Sequence, residues 1–250
     1  MSYKGPLTLH VKECIQARYS FIFLHGYDCS GKDNTDFFSW SHANTTTYPE
    51  LRVVCPDAPL LKTSAPGYEK EAVHSWYDFF DGECNSADDK PDLNSLRASC
   101  NEIHDIIQSE GNLVGLENVF VGGVSQGCCA AFHAVATCPT GPIGGFYGSI
   151  GHVMPCTPIE NLKNTVHGPI IFYCGTDDEV YPFSLIKPTL ERLEGIEKVE
   201  IWLEDGTHHC DDGRWTAQFL SRVIPPPTLR DQIIACEKKM TNRDELKCVQ

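Results

Sequence analysis

The pentapeptide Gly123-Val124-Ser125-Gln126-Gly127 constrains this chain more than any other feature. It stands between the apolar run Val119-Phe120-Val121 and a helix-forming stretch from Cys128 to Thr137. A G-x-S-x-G on a sharp strand-to-helix turn holds its serine exposed above the sheet, and a side chain at either flanking position would collide with the neighbouring strand or helix. The strand before it and the helix after it separate such an elbow from a chance match. Ser125 is therefore the expected nucleophile.

A turn of this kind needs a sheet covered by helices, and the rest of the chain supplies one. Short β-rich runs alternate with helical patterns, the signature of a mostly parallel sheet. Strands are expected over residues 7–11, 19–24, 52–55, 118–122, 144–147, 170–174 and 199–203. Several are continuous apolar or β-branched runs, as when helices bury both sheet faces. Leu93, Leu96, Cys100, Ile103 and Ile107 recur at helical spacing, with Pro91 expected in the first turn. Trp215, Phe219, Leu220 and Val223 predict a sheet-covering helix after the last strand.

At 250 residues the chain suits one α/β domain, over residues 1–227. Pro225-Pro226-Pro227 then stops the last core helix, and residues 228–250 are expected to form a C-terminal helix and a polar tail. Residues 57–90 mix Pro, Gly and acids with aromatics and lack clear periodicity. They are expected to be a lid or acyl-pocket loop, or else a surface excursion whose aromatics pack down.

A net charge of −14 argues against nucleic acid and against unaided binding to an anionic membrane. No stretch approaches the roughly 20 apolar residues that a membrane span needs, and the first residues lack the apolar core of a signal peptide. The thirteen cysteines are odd in number and irregularly spaced. They read as small buried residues of a reducing, cytoplasmic protein rather than as a disulfide framework.

A serine hydroxyl needs a base to take its proton and an acid to orient that base. In an elbow fold both follow the serine, acid first, each on a loop after a later strand. After the strand at 170–174 comes Gly175-Thr176-Asp177-Asp178-Glu179, where Asp178 is the chosen acid and Asp177 the fallback. After the strand at 199–203 comes Gly206-Thr207-His208-His209-Cys210-Asp211-Asp212, and spacing leaves His208 and His209 both open as the base. That run also invites a metal, but adjacent residues rarely converge on one ion and no partner pair has ligand spacing, so none is expected. The oxyanion donors are the backbone N–H of Gln126 and, from the loop His25-Gly26-Tyr27 after an early strand, that of Tyr27. His25 is expected to support that loop.

Five motifs, in order, resemble the phospholipase/carboxylesterase family of α/β-hydrolases, which includes acyl-protein thioesterases and lysophospholipase-like carboxylesterases. They are Phe23-Leu24-His25-Gly26, Cys55-Pro56-Asp57-Ala58-Pro59, Ser75-Trp76-Tyr77-Asp78, the elbow, and Gly175 with Asp178 and Pro182. The resemblance implies an α/β-hydrolase fold with helices on both faces of a mostly parallel sheet. It implies Ser125, Asp178 and His209 as the triad, Tyr27 and Gln126 as oxyanion donors, and an acyl pocket near Trp76. Two departures stand out. Asp28-Cys29 replaces the usual Gly-Asp of the early loop, and Cys128 replaces the glycine that usually follows the elbow.

The implied activity is cleavage of carboxylic esters or thioesters through an acyl-enzyme, with no cofactor. Candidate substrates are a small acyl ester, a lysophospholipid or a lipidated protein. Leu60, Leu61, Trp76, Phe79, Phe80, Phe146 and Met154 are the expected pocket residues. The alternatives are a ligand-binding protein on a hydrolase fold, or an acyltransferase with the same triad. Oligomeric state stays open, a homodimer included.

Overall fold

The computed structural model describes residues 7–12, 14, 16–43, 47–65, 67–79 and 90–225. The expected C-terminal helix and tail, Phe80 and part of the 57–90 segment lie outside them. Among the described residues the core is a seven-stranded sheet, ordered β1-β3-β2-β6-β7-β8-β9. Its strands are β1 (Leu9–Lys12), β2 (Tyr19–Leu24), β3 (Leu51–Pro56), β6 (Val119–Val124), β7 (Gly145–Ser149), β8 (Ile170–Gly175) and β9 (Val199–Glu204). Only β1 runs antiparallel to its neighbour; the other pairings are parallel. Each expected strand is present, with ends moved by one or two residues.

The continuous apolar runs come from burial on both faces. Along β2, Phe21 and Phe23 face one cluster while Ile22 and Leu24 face the other. The alternation repeats in β8, where Ile171 and Tyr173 oppose Ile170, Phe172 and Cys174. The first cluster is closed by α1 (Gly31–Trp40) through Phe38 and by α6 (Arg214–Val223) through Phe219 and Leu220. The second is closed by α2 (Leu93–Val114), α3 (Gln126–Ala136) and α5 (Phe183–Glu191), beside the single turn α4 (Leu162–Thr165).

Leu96, Cys100, Ile103 and Ile107 of the expected α2 stripe are buried, but Leu93 in the first turn is exposed and Pro91 lies just outside the helix. Asp92 is the N-cap, its carboxylate accepting the Asn94 and Ser95 N–H groups. The 57–90 segment is not wholly irregular: β4 (Leu60–Thr63) and β5 (Lys70–His74) form an antiparallel hairpin. No helix among the described residues is long and apolar enough to cross a membrane.

α1 matters most for the site. Ser30 and Asp33 cap it reciprocally, and Gly31 admits its first turn against β3, since a Cβ there would lie 2.2 Å from the Cys55 carbonyl oxygen. Asp57, from the Cys-Pro-Asp-Ala-Pro motif, accepts the Gly31 N–H at 2.7 Å and pairs with His10. That motif therefore anchors the helix start that follows the early loop.

Candidate active site

β6 ends at the elbow and α3 begins directly after it. Ser125 adopts φ 55° and ψ −126°, a conformation that costs a non-glycine residue about 1–3 kcal/mol and persists only when its surroundings enforce it. The flanking glycines are dictated by contact. A Cβ on Gly123 would lie 2.5 Å from the Gly127 carbonyl, and one on Gly127 would lie 2.3 Å from the His25 carbonyl oxygen. The Ser125 N–H donates to the Ser149 carbonyl at 2.9 Å.

Three side chains from three loops meet here. His209 Nε2 lies 3.0 Å from Ser125 Oγ, and His209 Nδ1 lies 2.8 Å from Asp178 Oδ2. A carboxylate only accepts, so Nδ1 carries the proton and Nε2 is left with a lone pair facing the serine. The Asp178 side chain is 1% exposed and also accepts the Val180 and Tyr181 N–H groups at 2.9 and 2.7 Å. The two open choices thereby separate. Asp177 is exposed, and His208 points outward to Glu179 at 3.3 Å. Ser125 itself is only half-buried, within reach of a ligand.

The early loop packs against the serine: a Cβ on Gly26 would come 3.4 Å from the Ser125 Cβ. The Gln126 N–H opens α3, where it has no intrahelical acceptor. In the early loop the Asp28 N–H goes to the His74 carbonyl and the Cys29 N–H to Gly26. The Tyr27 N–H makes no such backbone bond among the described residues. His25 is fully buried; its Nδ1–H donates to the Gly26 carbonyl and its Nε2 accepts the Ala58 N–H. Burial pushes its pKa down to about 4, so it is a neutral strut for the loop.

Both departures have local explanations. Asp28 sits at φ 59°, the left-handed region that favours glycine, and is tied there by an ion pair with Lys70. Cys128 is buried between Gly148 and Gly151, and a Cβ on either would meet its side chain at 2.5–2.6 Å.

A cavity of about 600 Å³ opens beside Ser125 and His209. Its walls are Phe23, Tyr27, Phe37, Trp40, Tyr68 and Ile150, with Asp33 and Asp211 also among the lining residues. None of the described residues expected to form the pocket is on that wall. Trp76 is fully buried behind the early loop, its indole N–H donating to the His25 carbonyl and its backbone N–H to Gln126 Oε1. Phe146 stacks in the sheet core with Phe132 and Phe172, and Met154 is buried in the same cluster. Phe79 backs the cavity from behind, against the rings of Tyr27 and Tyr68. Leu60 and Leu61 lie on the hairpin, Leu60 being 61% exposed. Apolarity predicts burial but not facing, and the strand and hairpin geometry turns these side chains elsewhere. Phe37 and Trp40 were reachable from sequence through Ser30-x-x-Asp33, a capping box that opens an apolar-faced helix.

Comparison with known proteins agrees with this fold. Residues 12–214 match the model of the phospholipase/carboxylesterase family. Acyl-protein thioesterase 1 of Schizosaccharomyces pombe is 28% identical over 178 residues, covering 69% of this chain and 74% of that protein. Acyl-protein thioesterase 1 homolog 1 of Dictyostelium discoideum is 23% identical, covering 86% and 94%. Among solved structures, Arabidopsis thaliana SOBER1 superposes with a TM-score of 0.69 at 23% identity, covering 83% of this chain and all of its own, a likeness that speaks for the fold. With a family model spanning most of its length, this chain belongs to the phospholipase/carboxylesterase family of α/β-hydrolases.

Proposed function

We propose that Ser125, His209 and Asp178 are the catalytic triad of a serine hydrolase acting on carboxylic esters or thioesters through an acyl-enzyme. One observation carries this reading: the 3.0 Å and 2.8 Å contacts that join the three side chains beside an apolar cavity. Ser125 Oγ attacks the acyl carbonyl carbon while its proton passes to His209 Nε2. The negative charge that develops on the carbonyl oxygen meets the Tyr27 and Gln126 N–H groups, at the positive end of α3. The tetrahedral intermediate collapses, the bond to the alcohol or thiol breaks, and Nε2 returns the proton to that leaving group. Water then repeats the sequence: Nε2 takes its proton, the hydroxide attacks the acyl-enzyme, and Ser125 leaves with the proton restored. Asp178 stays ionised throughout and holds the imidazole tautomer.

The aromatic walls suit an acyl chain, and the family relatives suggest its carrier. One is named acyl-protein thioesterase 1 and another, from Mus musculus, lysophospholipase-like protein 1. The substrate is thus an acyl group on a protein thiol or on a lysophospholipid, met in the cytoplasm. The test is a panel of acyl chains offered as p-nitrophenyl esters and as thioesters, with Ser125→Ala as the blank. Turnover that disappears in the variant supports the assignment; equal turnover in both proteins refutes it.

A further inference from the structure

The triad as proposed leaves one half-buried carboxylate at the site unused. Asp211 stands two residues after His209 and lines the same cavity. Its Oδ2 accepts from Ser149 Oγ at 2.6 Å and from the hydroxyls of Tyr147 and Thr216 at 3.3 Å each. Its Oδ1 accepts the Gly213 N–H at 2.7 Å. Four donors from β7, α6 and the intervening turn converge on one side chain.

The path through Ser149 gives this cluster its meaning. Ser149 ends β7, and its carbonyl accepts the N–H of Ser125 at 2.9 Å. One residue thus holds the nucleophile by its backbone and the base loop by its hydroxyl. Other ties on the base loop lead elsewhere. The Asp177 N–H reaches the Thr207 carbonyl, Gly206 N–H donates to Thr176 Oγ1, and Glu179 accepts from the His209 N–H. Those contacts fasten the base loop to the loop of Asp178. They fix base against acid, whereas the Asp211–Ser149 bond fixes base against nucleophile. A carboxylate drawn partly out of water is costly to maintain without such partners, and desolvation does push the Asp211 pKa up despite the Ser149, Gly213, Tyr147 and Thr216 donors.

We propose that Asp211 is a positioning residue that sets the Ser125 Oγ–His209 Nε2 separation by clamping the base loop to the end of β7. This rests on the triad reading above. Proton transfer is steep in distance, and displacement of a catalytic group by about 1 Å can cost about 100-fold.

The test is a double-mutant cycle of Asp211→Asn and Ser149→Ala, assayed with p-nitrophenyl butyrate and normalised to sites titrated by a fluorophosphonate. Each single variant is expected to lose about 10- to 100-fold in kcat with KM within about three-fold of wild type, and the double variant to be no worse than the poorer single. Should Asp211→Asn fail to fold, Ser149→Ala, which deletes the 2.6 Å bond and leaves the other Asp211 donors in place, carries the same expectation. Wild-type kcat per titrated site in both singles, or losses that multiply in the double, would overturn the clamp. Failure of the wild type to take up the fluorophosphonate would instead refute the triad, so the two ideas fall separately.

Discussion

Replacing Asp178 by asparagine probes the proposed mechanism where it is most sensitive to a single proton. The carboxylate accepts the Nδ1–H of His209 and two backbone N–H groups, and is 1% exposed. Asparagine has the same shape, and its carbonyl oxygen keeps the Val180 and Tyr181 N–H bonds. Its NH₂ group then faces Nδ1, which must become the acceptor. The imidazole switches tautomer, and Nε2–H now points at Ser125, leaving no base. The expected loss is about 10⁴-fold in kcat, or about 5.5 kcal/mol of transition-state stabilisation, by analogy with the corresponding change in a serine protease. Packing is unchanged, so the urea midpoint should move little. Steady-state turnover of p-nitrophenyl butyrate, with urea unfolding in parallel, reads both quantities. Retention of a tenth or more of wild-type kcat in a folded Asp178→Asn would refute the reasoning, as would an equal loss in Asp177→Asn, whose side chain is exposed.

Other predictions follow from neighbouring features. Gly127→Ala places a Cβ 2.3 Å from the His25 carbonyl oxygen and should destabilise by about 3 kcal/mol or more in urea; a change within about 0.5 kcal/mol would contradict the elbow's contacts. Burial holds His25 and His152 down to about 4, so the unfolded chain takes up their protons first. Stability is then full above the ordinary value of about 6.5 and falls as pH drops towards 4, with these two adding up to about 2.7 kcal/mol per pH unit; a flat profile of unfolding free energy across that window would count against it. Trp40→Ala should narrow the preference for long over short acyl esters several-fold in kcat/KM, because the indole forms part of the cavity wall, and an unchanged ratio would place the chain elsewhere. Asp33 and Asp211 line the cavity with no Lys or Arg among its lining residues, so a thiocholine ester should outpace a carboxylate-bearing thioester of equal acyl length, by a margin that shrinks with salt; the reverse order would contradict the charge argument.

The sheet and the residues of the proposed triad were largely legible in the sequence because both are written as local patterns. β6 and β8 are unbroken apolar runs, β2 is interrupted only by Ser20, and the elbow carries its own glycine constraints. The proposed acid and base sit on loops immediately after β8 and β9, where chain order alone points to them. Where spacing left two histidines open, their directions in space differ: His208 turns out to Glu179, and His209 turns in to Ser125. The cavity wall was illegible for a related reason. Trp76 and Phe146 are as apolar as Phe37 and Trp40, and only the packing of α1 over the strand ends decides which pair meets the cavity. The β4–β5 hairpin escaped because two short strands, one third charged and set among Pro and Gly, lack the alternation of a longer strand.

The most direct measurement is intact-mass and peptide analysis after treatment with a fluorophosphonate. One phosphonyl group per chain, on the peptide bearing Ser125 and absent from Ser125→Ala, is the predicted result. Label on another residue, or no label on folded wild-type protein, would contradict the assignment of Ser125 as nucleophile.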